Sequence, residues 1–123
     1  MIVLQIRSWS SPDVELQTWE PEELDAVQFL LELEIGAAAS PGADVFSVLV
    51  ATPEALRAHA PPGALVLRQR STLVLGRYDW PELRAAVTQI VASCAGRDWQ
   101  ESVLRLQRHF RWEYEDYRME DGH

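Results

Sequence analysis

The stretch AVQFLLELEIG, residues 26–36, has the clearest periodicity in the chain, and the rest of the fold can be worked out from it. Its apolar positions are Val27, Phe29, Leu31, Leu33 and Ile35, its polar positions are Gln28, Glu32 and Glu34, and Leu30 is the exception. Because successive side chains of a strand point to opposite faces, this period of two predicts a half-buried β-strand. We expect Gly36 to end it.

A second strand is predicted soon after the first, over DVFSVLVA, residues 44–51. Its apolar run is nearly continuous, which is typical of a strand in the middle of a sheet. Between the two strands lies AAASPGAD, residues 37–44, whose small residues, Pro and Gly favour a loop. Together the three segments predict a long hairpin.

Two further segments are predicted to be extended. In IVLQIRSW, residues 2–9, apolar and polar residues alternate, which predicts a half-buried first strand. The stretch ALVLRQRSTLVLGRY, residues 64–78, predicts either one bent strand or two short ones. Residues 10–24 combine turn residues with acids and predict a loop that contains one helical turn.

Capping residues predict three helices. TPE at 52–54 supplies an N-cap, a proline at the first helical position and an acid in the first turn, and HAPPG at 59–63 stops this short helix. DWPE at 79–82 and DWQE at 98–101 each open a helix, because an N-cap acid is followed three residues later by Glu. The apolar stripes of these two helices are Leu83, Ala86, Val87, Ile90, Val91 and Cys94, and then Trp99, Val103, Leu106 and Phe110.

This order of elements predicts an α+β fold in a single domain over residues 1–123. We expect a mainly antiparallel sheet of four to five strands, with a C-terminal helix pair packed on its apolar face. Trp80 and Trp99, at the two helix starts, are expected to attach the helices to the sheet. The start of the chain lacks the features of a signal peptide, and the lone Cys94 cannot form an internal disulfide, so we expect a cytoplasmic protein.

The net charge of −8 is unevenly distributed along the chain. Ten acids and no Arg or Lys lie between Ser8 and Glu54, whereas nine Arg and four acids lie between Arg57 and Arg111. Phosphate binding requires clustered cations, so this pattern argues against nucleic acid as the partner. It favours either solubility alone or a basic protein partner. No apolar run reaches the roughly 20 residues that span a bilayer, so we expect no membrane partner.

No motif in the sequence predicts catalysis, a cofactor or a metal site. The glycine patterns that cradle nucleotide phosphates are absent. The 3 His residues lack metal-ligand spacing, and Cys94 lies on an apolar stripe as a small hydrophobic residue. An enzyme needs convergent polar groups in a pocket, and nothing predicts them here, so we expect no enzymatic activity.

The stretch RWEYEDY, residues 111–117, alternates rings with acids, and the rings are Trp112, Tyr114 and Tyr117. One interpretation is a C-terminal strand or strap whose rings close the core while its acids face water. The other is a binding surface, because aromatic anchors among charged groups are typical of protein interfaces. We expect the two faces to share these functions: the three rings close the helix pair against the sheet, and Glu113 and Glu115 point the other way.

Six motifs occur in order along the chain: SPD (11–13), FLLELEIG (29–36), DVFSVLVATPEAL (44–56), RYDWPELRAAV (77–87), SCAGRDWQE (93–101) and RHFRWEYEDY (108–117). Taken together they resemble the immunity protein 8 family of bacterial polymorphic-toxin systems. The most specific part is SC-x-G-x-x-W-x-E followed by F-x-WE-x-EDY. Residues 60–76 align least well with the family.

The resemblance implies a non-enzymatic protein that binds and neutralises a cognate toxin domain, without a cofactor. In such systems the toxin is often a nuclease, and a basic nuclease groove would attract an acidic partner. We expect the toxin-binding residues among the solvent-facing acids Glu20, Glu22, Glu23, Glu32, Glu34, Glu113, Glu115 and Asp116. The alternative function is a small acidic domain that binds a ligand or self-associates as an adaptor, which the apolar Leu30 on a polar strand face supports.

Overall fold

The computed structural model describes residues 1–59 and 71–115. The described elements, in chain order, are β1 (Leu4–Ser10), β2 (Gln28–Ala37), β3 (Asp44–Ala51), α1 (Pro53–His59), β4 (Thr72–Val74), α2 (Trp80–Ser93), α3 (Trp99–Leu106) and β5 (Arg111–Trp112). The predicted α+β fold is confirmed. Of the extended segment expected over 64–78, the structure shows β4, and residues 60–70 lie outside the described part.

The described strands form one open sheet in the order β1-β2-β3-β4, and β5 also pairs with β3. All pairings are antiparallel except that of β3 with β4, which follows the crossover through α1. β2 and β3 form the predicted hairpin, in register from Gln28 opposite Ala51 to Ile35 opposite Asp44. β3 is central, as expected: β2 occupies one of its edges, and β4 and β5 share the other.

We expected β2 to end at Gly36, but the strand continues to Ala37. Gly36 is buried, and a Cβ atom placed there would clash with the carbonyl oxygen of Gly42 in the following loop. The residue is therefore a site of close backbone approach within the strand rather than a strand terminator.

β1 contains a bulge that the alternating pattern did not predict. Ile6 pairs with Ile35, but Ser8 pairs with Glu34, so Arg7 is the extra residue. The guanidinium of Arg7 donates to carbonyl oxygens of residues 37, 40 and 41, which fixes the loop that follows β2. After the bulge the next residue that joins the core side is Trp9.

One face of the sheet and the two C-terminal helices enclose the core. The strands contribute Phe29, Leu31, Leu33, Ile35, Phe46, Val48 and Val50, and the helical segment contributes Leu83, Val87, Val91, Cys94, Val103, Leu106 and Phe110. Ala86, expected in the first helical stripe, is exposed, so that prediction was wrong. The buried stripe runs along Leu83, Val87 and Val91, four residues apart, and Ala86 lies beside it.

The helix starts are capped as the sequence predicts. The carboxylate of Asp79 accepts a hydrogen bond from the Glu82 N–H at 3.0 Å, and Asp98 accepts one from the Glu101 N–H at 2.9 Å. Each such cap contributes about 1 kcal/mol. The adjacent rings attach the helices to the sheet: Trp80 packs edge-on against Trp9, and Trp99 packs edge-on against Phe46.

Across residues 1–59 and 71–115, no helix is both long enough and apolar enough to span a membrane.

Candidate functional site

The face of the sheet opposite the core, called the outer face below, carries several of the expected acids. Because the strands pair in register, its side chains form rows that cross the sheet. These rows are Ser8–Glu34–Val45, Ser10–Glu32–Ser47–Arg111 and Leu30–Leu49–Thr72. The outer face therefore has an acidic end near the start of β3 and an apolar end near its finish.

Two of the expected acids stand on β2 itself. Glu34 is exposed and accepts a hydrogen bond from the Ser8 hydroxyl at 2.8 Å, and Glu32 is half-buried. They are separated by roughly 7 Å along one face of the strand. The residues directly opposite them on β1 and β3 are neutral, so no cation lies in the cross-strand positions that would offset their charge.

The C-terminal acids differ in what they bind: Glu113 holds the segment to β3, and Glu115 bonds within the segment. Glu113 exchanges two hydrogen bonds with Val45: its N–H donates to the Val45 carbonyl oxygen at 3.0 Å, and its carboxylate accepts from the Val45 N–H. Glu115 accepts a hydrogen bond from the Trp112 N–H at 3.1 Å. Both carboxylates are thus fixed in position by backbone donors.

The expectation that all three rings of residues 111–117 close the core is only partly met. Trp112 is half-buried, packs against the core and donates from Nε1 to Asp44 at 3.0 Å. Tyr114 is 42% exposed and rests against the Trp112 ring, so its predicted burial was wrong. The strand ends at Trp112 and a turn follows, so the period of two does not continue. Asp116 and Tyr117 lie outside the described residues.

The remaining expected acids, Glu20, Glu22 and Glu23, are exposed in the loop between β1 and β2. This loop is anchored by Trp19, whose ring packs edge-on against Phe29 and Tyr78. The Tyr78 N–H also donates to the Leu24 carbonyl oxygen at 2.7 Å. These contacts hold the loop at the end of the sheet where β2 begins and β3 finishes.

The structure therefore separates the expected acids into two groups. The outer-face acids are Glu32 and Glu34. Glu113 lies near them, because its backbone and carboxylate bind Val45, and Glu115 follows Glu113 in the chain. The loop acids are Glu20, Glu22 and Glu23. Val45, beside the first group, and Ala51, near the second, lie at opposite ends of β3, roughly 20 Å apart. Glu34 and Glu113, by contrast, lie on either side of Val45, Glu34 on β2 and Glu113 just after β5, roughly 10 Å apart.

The sequence reasoning missed the apolar part of the outer face. Leu30 lies opposite Leu49, and both are half-buried, so the exception on β2 is part of a small apolar cluster. A groove of about 180 Å³ opens beside them, bounded also by Ser71 and Arg111. The signal for this cluster was the nearly continuous apolar run of β3, which leaves apolar side chains on both faces.

Three of the described groups, Cys94, Tyr78 and Glu101, have shifted pKa values. Burial raises the pKa of the Cys94 thiol, which makes it a poor nucleophile. Burial and the charge of Asp79 raise the pKa of Tyr78. Hydrogen bonds from Arg97 lower the pKa of Glu101. Within the part of the chain that the structure describes, no three His, Cys, Asp or Glu side chains cluster as metal ligands.

Comparison with known proteins agrees with the order of motifs. The family model described as Immunity protein 8 matches residues 4–117, from the first residue of β1 past the last described residue. No curated protein and no solved structure matches the chain. The resemblance inferred from the motifs is thus confirmed over nearly the whole sequence.

Proposed function

Because the chain belongs to the immunity protein 8 family, we propose that it binds a cognate toxin domain of a bacterial polymorphic-toxin system and neutralises it. The observation that carries this function is the family match over residues 4–117. We propose inhibition by binding, without catalysis or a cofactor, in the cytoplasm of the protected cell.

The outer face is proposed as the toxin contact, with its acids around an apolar centre. That face combines the carboxylate of Glu34, fixed by the Ser8 hydroxyl, with the apolar pair Leu30 and Leu49. The carboxylate of Glu113 lies beside it, bound to the Val45 N–H. Protein interfaces commonly place such apolar groups at the centre and charges around them. The loop acids at the other end of the sheet are proposed to attract the toxin during encounter, since charge increases association rates over longer distances.

A nuclease is the toxin class that this surface fits best. Nuclease domains carry cations where they bind phosphate, and a chain with net charge −8 is complementary to such a groove. The toxin would then be inhibited by occupation of its groove or of an adjacent surface.

Co-expression with the toxin domain encoded next to its gene tests this function. We expect the chain to restore growth of cells that produce the toxin, and to suppress nucleic-acid cleavage by the purified toxin when added in equimolar amount. An unrelated toxin domain is the control and should remain active. Persistent growth inhibition in cells that contain the folded chain would contradict the proposed function.

Self-association is the second candidate function, because the Leu30–Leu49 pair is apolar and Val74 on neighbouring β4 is 58% exposed. Sedimentation of the purified chain over a range of concentrations separates the two candidates. A dimer that persists on dilution and does not bind the toxin supports the adaptor function.

A further inference from the structure

β1 is an edge strand of the described sheet. Two hydrogen bonds show which of its residues direct their backbone groups toward β2 and which direct them away. The Ala38 N–H donates to the Val3 carbonyl oxygen at 2.8 Å, so Val3 and Gln5 direct their backbone groups toward β2. The Ile2 N–H points away from β2 and donates to the Gly96 carbonyl oxygen at 2.9 Å. Leu4 and Ile6 therefore direct their N–H and C=O groups away from β2, toward a side where no described strand pairs with them.

A groove runs beside this edge. It has a volume of about 330 Å³, lies between β1 and α2, and is lined by Leu4, Ile6, Trp9, Arg84, Thr88 and Ala92, among others. Its walls are thus mainly apolar, with one cation. Leu4 and Ile6, whose backbone groups point away from β2, are themselves lining residues of this groove.

The cation of the groove is Arg84. Its guanidinium carbon lies 5.5 Å from the centre of the Trp9 ring, and this contact holds the side chain at one end of the groove. Among the ion pairs formed by the described residues, none involves Arg84. A carboxylate entering the groove would meet this charge.

We propose that the edge of β1 is a second contact site for the toxin, which adds an extended segment as a new strand beside Leu4–Ile6 and places a carboxylate near Arg84. This inference rests on the proposed toxin binding. An extended chain is the occupant that fits, because only a strand presents donors and acceptors at the spacing of the β1 edge. The cation of Arg84 selects the acidic side chain by charge complementarity.

An added strand would also bring the toxin toward the outer-face acids. It would lie beside Leu4–Ile6, just before the bulge that precedes Ser8, and β2 with Glu34 and Glu32 follows one strand further. The distance from the added strand to β2 is two strand spacings, or roughly 10 Å. One toxin domain can therefore use the edge and the outer face together.

Amide hydrogen exchange measured by NMR tests the site directly, with the ¹⁵N-labelled chain and a catalytically inactive form of the toxin domain encoded next to its gene. We expect exchange at Leu4 and Ile6 to slow by about tenfold or more in the complex, while Gln5, already bonded to β2, changes little. A complex that leaves Leu4 and Ile6 unchanged overturns the edge site but keeps the proposed function. If no complex forms, the proposed function itself fails and the edge site fails with it.

A blocking variant provides the independent readout. Thr88→Arg places a bulky side chain in the groove, and Gln89→Arg, the next residue of α2, makes the same charge change outside it. We expect Thr88→Arg to weaken toxin binding about tenfold and Gln89→Arg to leave it within about twofold. Equal effects of the two variants overturn the site. Protection of Leu4 and Ile6 in the isolated chain that increases with concentration overturns it too, because a second copy then occupies the edge.

Discussion

The hydroxyl of Thr52 illustrates how one buried side chain joins two elements. It is fully buried, accepts a hydrogen bond from the Val27 N–H at 3.0 Å just before β2, and accepts a longer one from the Ala55 N–H in α1. The sequence predicted the helix cap, because Thr before Pro53 is a local signal. It did not predict the bond to Val27, because that partner lies 25 residues away in the chain.

Replacing this hydroxyl is expected to destabilise the fold. Thr52→Val keeps the side-chain volume but leaves the buried Val27 N–H without an acceptor, so we expect a loss of about 1–3 kcal/mol in the free energy of unfolding, measured by urea denaturation. Thr52→Ser retains the hydroxyl and should lose less. Thr88→Val, on the exposed surface of α2, is the matched control, with an expected change within about 0.5 kcal/mol. Equal stability of Thr52→Val and the wild-type chain would contradict this role.

The contact that Glu113 makes in the structure differs from the one that its local sequence pattern predicts. From the sequence it was an acid facing water, and in the structure its carboxylate accepts from the Val45 N–H. The two residues are 68 positions apart, so no local signal links them. Its exposure was predictable, but its role in attaching the C-terminal segment to β3 was not.

At the scale of elements, the parts predicted well are those with a complete local signal. β2, β3, α2 and α3 each contain a full periodic pattern or a cap, and all four were found. The bulge in β1 and the early end of β5 depend on pairing with a neighbouring strand. Pairing between distant segments is not encoded in the spacing of one segment, so these features required the structure.

Contacts at the start of α3 are expected to make the stability of the chain depend on pH. Glu101 accepts hydrogen bonds from the backbone N–H and the side chain of Arg97, each at 3.1 Å, and pairs with Arg105 at 3.2 Å. The backbone bond and the Arg97 side chain are the main reasons why the pKa of Glu101 is lowered from its ordinary value of 4.5. In the unfolded chain this carboxylate binds its proton more tightly than in the folded one.

The sign of the pH effect follows from this lowered pKa. The stabilising contribution of Glu101 is present above pH 4.5 and is lost as the pH falls through its lower, folded-state pKa. We expect Glu101→Gln to reduce the stability of the chain at neutral pH, and to reduce the difference in stability between neutral pH and acid. Urea denaturation at several pH values measures both. Arg97→Gln removes the side-chain bond but keeps the backbone one, so it should have a smaller effect in the same direction, and it should add little when combined with Glu101→Gln. Additive effects of the two substitutions would contradict the coupling.

At the scale of the whole molecule, charge is the property that the sequence conveyed best. The net charge and the acidic first half are visible without coordinates, and they led to the expected acids. Their division between two ends of the sheet was not visible, because it depends on the direction of β3 and on the anchoring of the loop by Trp19. The structure thus turns one predicted set of acids into two groups that can be tested separately.

Two variants of equal charge compare these groups. Glu32→Lys with Glu34→Lys alters the outer face, and Glu22→Lys with Glu23→Lys alters the loop, and each pair changes the net charge from −8 to −4. Circular dichroism and urea denaturation would first establish that both variants fold.

The most direct measurement is the stopped-flow association rate of the chain with the inactive toxin domain at low and high salt. We predict that the chain binds, that the rate falls steeply as salt increases, and that both variants slow association. We also predict that only the outer-face variant weakens affinity by about tenfold or more, because only its acids lie in the contact. Absence of binding, or a rate that neither salt nor either variant changes, would contradict toxin recognition through an acidic surface.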